Sequence, residues 1–266
     1  MQIDRSSCLE LLNEFGISPS KDKGQNYLIN PNTAKRIVDA LSDDKEEKVL
    51  EIGPGLGSLT HFLKEKTSNL TVVDIDEQSC NVLRKIYPDL NIINQDALET
   101  KVNKYERIIS NVPYSITSEL IEYVLLNGEK LKQCVFMVQE DAYKRIVSLK
   151  GKDYGPLAVL LSLKGNVKTL FKVGPNDFLP RPKCVSVVFE VNLFEEQQLT
   201  NEQYKVIKTL FTNRRKTLLN NLLLLTNKEK ATSLLEELKL PLTVRPEELS
   251  PETYYKLVSL YFTKGK

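Results

Sequence analysis

Four stretches carry side chains whose types and spacing could do chemistry. Asn111-Val112-Pro113-Tyr114 is the sharpest. A residue before proline is pushed toward extended backbone. That geometry can direct the Val112 carbonyl and the Asn111 side chain into a cleft, with Tyr114 adding a flat face. Two oxygen acceptors beside an aromatic shelf suit a planar base that bears an exocyclic amine. The acceptors take the amine hydrogens and the ring stacks. Such a tetrad is also a common strand-ending turn, so on its own it leaves both readings open.

The second stretch is Val49-Leu50-Glu51-Ile52-Gly53-Pro54-Gly55-Leu56-Gly57-Ser58, an apolar run ending in three glycines at alternate positions. Glycine lets backbone approach a ligand closely, because no Cβ intervenes. The dinucleotide fingerprint is spaced G-x-G-x-x-G. Here the third glycine, Gly57, comes one residue early and Ser58 holds its place, which disfavours a pyrophosphate turn. A second apolar run, Leu70–Val73, ends in Asp74. An acid about twenty residues past such a turn suits a ribose diol. A nucleoside-containing cofactor without a buried pyrophosphate fits both features, and S-adenosylmethionine is such a cofactor. The alternative is a ligand-free turn with a solvated Asp74. Asp96 ends a third run, where it could accept from the amino group of the cofactor adenine or serve as an ordinary turn aspartate.

Two basic stretches follow. Phe178-Leu179-Pro180-Arg181-Pro182-Lys183 is a stiff loop in which Phe178 could cover the other face of a splayed base while Arg181 and Lys183 meet phosphates. It also reads as a surface loop with a buried anchor. Asn213-Arg214-Arg215-Lys216 reads either as a solvated face or as an RNA backbone contact.

Those residues need a scaffold. Strand patterns at Val49–Ile52, Leu70–Asp74, Asn91–Asp96, Arg107–Ser110 and Cys134–Val138 alternate with helical periodicity, which predicts a mostly parallel, doubly wound α/β sheet. Val167–Val173 and Val185–Val191 are closing strands. Binding in such a sheet occurs beyond the carboxyl ends of its strands, and four strands end with Gly53, Asp74, Asp96 and Asn111. Residues 1–20 predict a short helix and a connector. A polar loop bearing Lys21, Lys23, Gly24, Gln25, Asn26, Tyr27 and Leu28 follows, and Asn30-Pro31 starts another helix. Beyond about Leu193 only helical periodicity remains, so we place a catalytic domain at 1–192 and a small all-helical domain at 193–266.

Composition narrows the function. The 266 residues are 41% hydrophobic, enough for a core, with no apolar run approaching a bilayer span and no signal-peptide core at the N-terminus. Cys8, Cys80, Cys134 and Cys184 lie far apart and read as small buried hydrophobes. With them, the lone His61 argues against a metal site or a Ser-His-Asp triad. A reducing cytoplasm fits. Net charge is only +2, but residues 197–266 hold twelve Lys and Arg against seven acids, a surplus that could attract a polyanion.

The chain resembles the KsgA/RsmA ribosomal RNA adenine dimethyltransferases over nearly its whole length. The resemblance is carried by Gly24–Leu28, Leu50–Gly57, Val73–Asp76, Gln95–Leu98, Asn111–Tyr114, Val138–Glu140, Tyr154–Leu157, Phe178–Ser186, Arg214–Leu218 and Arg245–Leu249. It implies a class I (Rossmann-like) methyltransferase domain with a helical C-terminal domain. The implied activity is transfer of methyl groups from S-adenosylmethionine to N6 of two adjacent adenines, in a hairpin loop near the 3′ end of small-subunit rRNA. Implied cofactor contacts are Asn26, Leu28, Gly53, Asp74, Asp96 and Asn111. Implied target-base contacts are Asn111, Val112, Tyr114 and Phe178. The partner is then immature small-subunit rRNA, and the protein a cytoplasmic monomer. This chain has Val112 where leucine is usual, Ser115 for asparagine, Tyr27 for phenylalanine and Asp74 for glutamate. Three rivals stand beside this reading. They are a large-subunit methyltransferase of the macrolide-resistance type, a non-catalytic ribosome-assembly factor, and an NAD-linked oxidoreductase.

Overall fold

The computed structural model describes residues 1–19, 25–195 and 199–263. Lys21, Lys23 and Gly24 of the polar loop lie outside them. Helix α1 (Arg5–Glu14), strand β1 (Tyr27–Leu28) and helix α2 (Pro31–Asp39) come first. The alternation then runs β2 (Val49–Ile52), α3 (Ser58–Lys66), β3 (Leu70–Asp74), α4 (Glu77–Ile86), β4 (Asn91–Asn94), β5 (Arg107–Asn111), α5 (Thr117–Asn127) and β6 (Gln133–Gln139). After α6 (Glu140–Val147) and α7 (Pro156–Lys164) come β7 (Gly165–Val173), β8 (Phe178–Leu179) and β9 (Ser186–Leu193). Four helices close the chain: α8 (Asn201–Leu210), α9 (Leu218–Leu222), α10 (Lys228–Glu237) and α11 (Pro251–Thr263).

Seven strands form one sheet in the order β4-β3-β2-β5-β6-β9-β7. β4, β3, β2, β5 and β6 are parallel, and β9 runs antiparallel to β6 with Phe136 opposite Phe189. β2 and nearly all of β6 are buried along their length, as expected for central strands covered on both faces. The order reverses between β2 and β5, so the carboxyl ends of those neighbours open a crevice. A separate two-stranded ribbon pairs β1 with β8, setting Tyr27 opposite Leu179 and Leu28 opposite Phe178.

The caps form where residue chemistry asks for them. Asn30 accepts from the Asn32 and Thr33 amides with Pro31 at the first turn, and Asp76 accepts from Ser79 at the start of α4. Ser250 caps α11 through its hydroxyl and the Thr253 amide, 3.2 Å apart. Cys8, Cys80 and Cys134 are buried as expected, but Cys184 is half-buried, because it lies in the loop after β8.

The chain divides into two compact units. One comprises Met1–Tyr143 and Val167–Leu193, the other Lys144–Asn166 and Phe194–Lys266. The division expected at 192/193 therefore differs in one respect: Lys144–Asn166 groups with the C-terminal helices. The cause is α7, whose Ala158, Val159, Leu160 and Leu161 are all buried. A helix apolar on every side must be covered on every side, and α7 packs on α8 and α11. The same unit holds an aromatic cluster, with Tyr154 edge-on to Phe211 at 5.5 Å and Phe211 stacked on Tyr254 at 5.1 Å. Among the described residues, no helix is long and apolar enough to cross a membrane.

Candidate functional site

The glycine turn is held open by backbone geometry. Gly53, Gly55 and Gly57 all have positive φ, at 67°, 54° and 92°. L-residues pay for that conformation and glycine does not. The Gly53 amide donates to the Val73 carbonyl at 2.9 Å, tying the end of β2 to β3. The Gly55 amide donates to Asp74 Oδ2 at 3.2 Å, and the Asp76 amide donates to Asp74 Oδ1 at 2.9 Å. Asp74 thus organises two loops with its own carboxylate.

A cleft opens at this point, roughly 800 Å³ counting its mouth. Asn26, Leu28, Gly53, Gly55, Asp74, Asn111, Val112 and Tyr114 line it, so eight of the expected site residues share one cavity. The tetrad is anchored from below by the Val112 amide, which donates to the Met137 carbonyl of β6 at 3.0 Å. Asn111 Nδ2 lies 3.5 Å from the Asn26 carbonyl, across the cleft. Tyr114 opens a single 3-10 turn, and its hydroxyl is 3.5 Å from Ser186 Oγ. Burial raises the Tyr114 pKa, so the phenol stays neutral.

Three expected residues are not brought to the cleft. Phe178 is 2% exposed and packs with Leu28, Val173 and Val188 in the sheet core. A side chain so covered has no face left for a base. The β1–β8 pairing fixes this, since it turns Phe178 inward opposite Leu28. Asp96 caps the turn Ala97–Glu99, accepting from the Leu98 amide at 2.8 Å, and does not line the cleft. Gly57 caps α3 instead of lining the cavity: a Cβ there would meet Leu83 Cδ2 at 2.8 Å, so its role is close packing of α3 on α4. Arg181 and Lys183 are exposed in the loop after β8. In the other unit, Arg215 and Lys216 are exposed, whereas Arg214 donates to the Lys152 and Gly151 carbonyls at 2.6 and 3.1 Å. Arg214 is a staple, which a charge count could not reveal.

The cleft also contains residues that the sequence reading passed over. Glu51 is 1% exposed and accepts from Thr60 Oγ1 at 2.6 Å. Burial, opposed by the Thr60 hydrogen bond and reinforced by the Asp74 charge, pushes its pKa up to about 8. It is therefore mostly a neutral acid at pH 7. A carboxylate inside the run Val49–Ile52 was the available signal. Ile75 is 65% exposed on the rim, an apolar face directly after the acid that ends β3. Ser58 donates to the Leu28 carbonyl at 2.5 Å, locking the start of α3 to β1.

Comparison with known proteins decides the family. The profile described as "Ribosomal RNA adenine dimethylase" matches residues 18–262. The chain belongs to that family. It is similar to the "Ribosomal RNA small subunit methyltransferase A" of Malacoplasma penetrans, at 37% identity over 246 residues, 90% of each chain. It is also similar to the protein of that name from Clostridium botulinum, at 32% identity over 93% of this chain and 96% of the other. Among solved structures, a dimethyladenosine transferase from Plasmodium falciparum superposes with a TM-score of 0.78 at 26% identity, covering 90% of this chain and 98% of that one. The 23S rRNA methyltransferase ErmE gives 0.65 at 22% identity over 88% and 98%, which shows the shared fold. The family's class I methyltransferase architecture is the sheet described above.

Proposed function

We infer that this chain dimethylates N6 of adjacent adenines in small-subunit rRNA, with S-adenosylmethionine as donor. One observation supports the reading most: the turn at Gly53–Gly55, the Asp74 carboxylate and the Asn111–Tyr114 tetrad face one cleft at the sheet's switch point. The family supplies the reaction class. The small-subunit relatives, similar over nine-tenths of the chain, support that rRNA as substrate.

The residues present fit a nucleoside cofactor. Positive-φ glycines leave the turn without a Cβ, Asp74 offers acceptors for a ribose diol, and exposed Ile75 offers an apolar face to a purine. When bound, S-adenosylmethionine supplies a methyl carbon made electrophilic by its sulfonium. The chain's residues do the rest. The side-chain carbonyl of Asn111 and the main-chain carbonyl of Val112 accept the hydrogens of the target amine, holding its nitrogen lone pair toward the donor. The neutral ring of Tyr114 carries the splayed base. As the nitrogen takes the methyl, the donor's carbon–sulfur bond would break to leave a neutral thioether and the amine's proton would pass to water, so no histidine base is needed. Arg215 and Lys216 contact the RNA backbone, with Arg181 and Lys183 as further phosphate contacts.

The test is transfer of tritiated methyl groups to immature small ribosomal subunits, with large subunits as the comparison. Label in small-subunit N6,N6-dimethyladenine is expected. Label in the large subunit alone favours the macrolide-resistance type, and binding without label favours a non-catalytic assembly factor.

A further inference from the structure

Tyr114 is half-buried at the cleft, and stacking asks only for its flat face. Its hydroxyl serves something else. The turn that carries it is short: Tyr114–Ile116 is a single 3-10 turn, and Pro113 before it provides no side-chain cap. A ring on such a turn can swing between rotamers unless its far end is fixed. Among the described residues the phenolic oxygen has one hydrogen-bonding partner, Ser186 Oγ at 3.5 Å, and Ser186 Oγ has no other.

Ser186 is a fixed point. It is 1% exposed and opens β9, where it lies opposite Gln139 of β6. The carbonyl of its neighbour Val185 accepts from the Glu140 amide at 3.0 Å, so β6 and the residue after it hold the backbone here. β6 also holds the other end of the tetrad, through the Met137 carbonyl and the Val112 amide. The acceptor carbonyl of Val112 and the ring of Tyr114 are thus both referenced to one pair of strands, the first by main chain and the second by side chain. A hydroxyl buried at the head of the apolar run Val187-Val188-Phe189 costs desolvation unless it is bonded, and the bond it makes reaches the cleft. A separation of 3.5 Å is long for two hydroxyls. Bonds of this kind at a reacting centre draw in when substrate docks.

We propose that Ser186 is a positioning residue: its hydroxyl holds the Tyr114 phenol and so sets the plane on which the target base is presented to the methyl donor. The proposal rests on reading the cleft as the methyl-transfer site.

The test is a double-mutant cycle on the full chain, with Ser186→Ala, Tyr114→Phe and the pair. The readout is methyl transfer from tritiated S-adenosylmethionine to immature small ribosomal subunits, with kcat taken per site that binds S-adenosylhomocysteine by calorimetry. If the parent transfers no methyl, the functional reading itself fails. If it does, each single change is expected to lower kcat about tenfold, the scale of one lost hydrogen bond and a slightly misplaced base. The KM values for donor and subunit should stay within about twofold, because phosphate contacts dominate RNA affinity and the donor lies outside the changed pair. In the Tyr114→Phe background, Ser186→Ala should add less than about twofold, since the partner atom is already gone. Parent kcat in Ser186→Ala overturns the proposal, and so do losses that multiply in the pair. Should Ser186→Ala not fold, Tyr114→Phe decides alone: parent kcat overturns the proposal, and a tenfold fall with both KM values unchanged bears it out.

Discussion

Gly57→Ala separates packing from ligand approach within the glycine turn. Gly57 sits at φ 92° and ψ 28°, farther from the ordinary left-handed well than Gly53 or Gly55. An alanine there carries about 1–2 kcal/mol of backbone strain. Its Cβ also stands 2.8 Å from Leu83 Cδ2, and Leu83 is 0% exposed, so the leucine must move within a closed core. Overpacking of that kind costs about 1–3 kcal/mol. The sum, about 2–5 kcal/mol, corresponds to a fall in unfolding midpoint of roughly 5–15 °C. Gly57 does not line the cleft, so the folded variant should bind S-adenosylhomocysteine within about twofold of the parent. Gly55→Ala is the counterpart: its Cβ meets the Tyr27 ring at 3.2 Å inside the cavity wall, and affinity should fall with a smaller midpoint change. Circular dichroism melts and calorimetry, run where both variants are folded, give the two quantities separately. A Gly57→Ala protein with an unchanged midpoint and a tenfold loss of affinity would refute the assignment and return Gly57 to the ligand.

Asn111→Ala should lose methyl transfer by about 100-fold or more, as when a positioned polar group is removed from a reacting centre. Its affinity for S-adenosylhomocysteine, measured by calorimetry, should stay close to the parent's. Arg215→Ala with Lys216→Ala should lower the slope of log affinity against log salt by about 1.5 in filter binding to the rRNA hairpin, leaving the melt unchanged. Arg214→Ala should do the reverse, lowering the melt by the loss of two charge-assisted hydrogen bonds to the 151–152 carbonyls. Glu51 binds its proton more tightly folded, at a pKa of about 8, than unfolded, near 4.5. Its contribution is therefore fully present below pH 4.5 and lost as pH rises through 8, so denaturant melts of Glu51→Gln should show a smaller loss of stability across that range than the parent.

What the sequence made legible was whatever depends on local periodicity. The run-and-turn pattern located β2, β3, β5 and β6, and the strand-end rule brought Gly53, Asp74 and Asn111 to one cleft, because chain direction in a parallel sheet leaves a strand end nowhere else to go. What it hid was side-chain direction set by distant partners. Phe178 reads as an aromatic in a basic loop. A two-residue ribbon with Tyr27–Leu28, some 150 positions earlier, is what turns it into the core. Arg214 reads as one of three equal cations, and only the carbonyls of a turn sixty residues away distinguish it from Arg215. Asp96 follows the same rule, since its capping bond to the Leu98 amide is set by the turn that follows it and is invisible in the residue type. Glu51 is the instructive inverse. It stands in an apolar strand and went unread, although burial is what makes a carboxyl informative, because an acid kept neutral at pH 7 holds a hydrogen-bond donor inside the cleft where an ionised one would offer only acceptors. Composition at a position thus locates polar groups, and the tertiary contacts decide which proton each of them keeps.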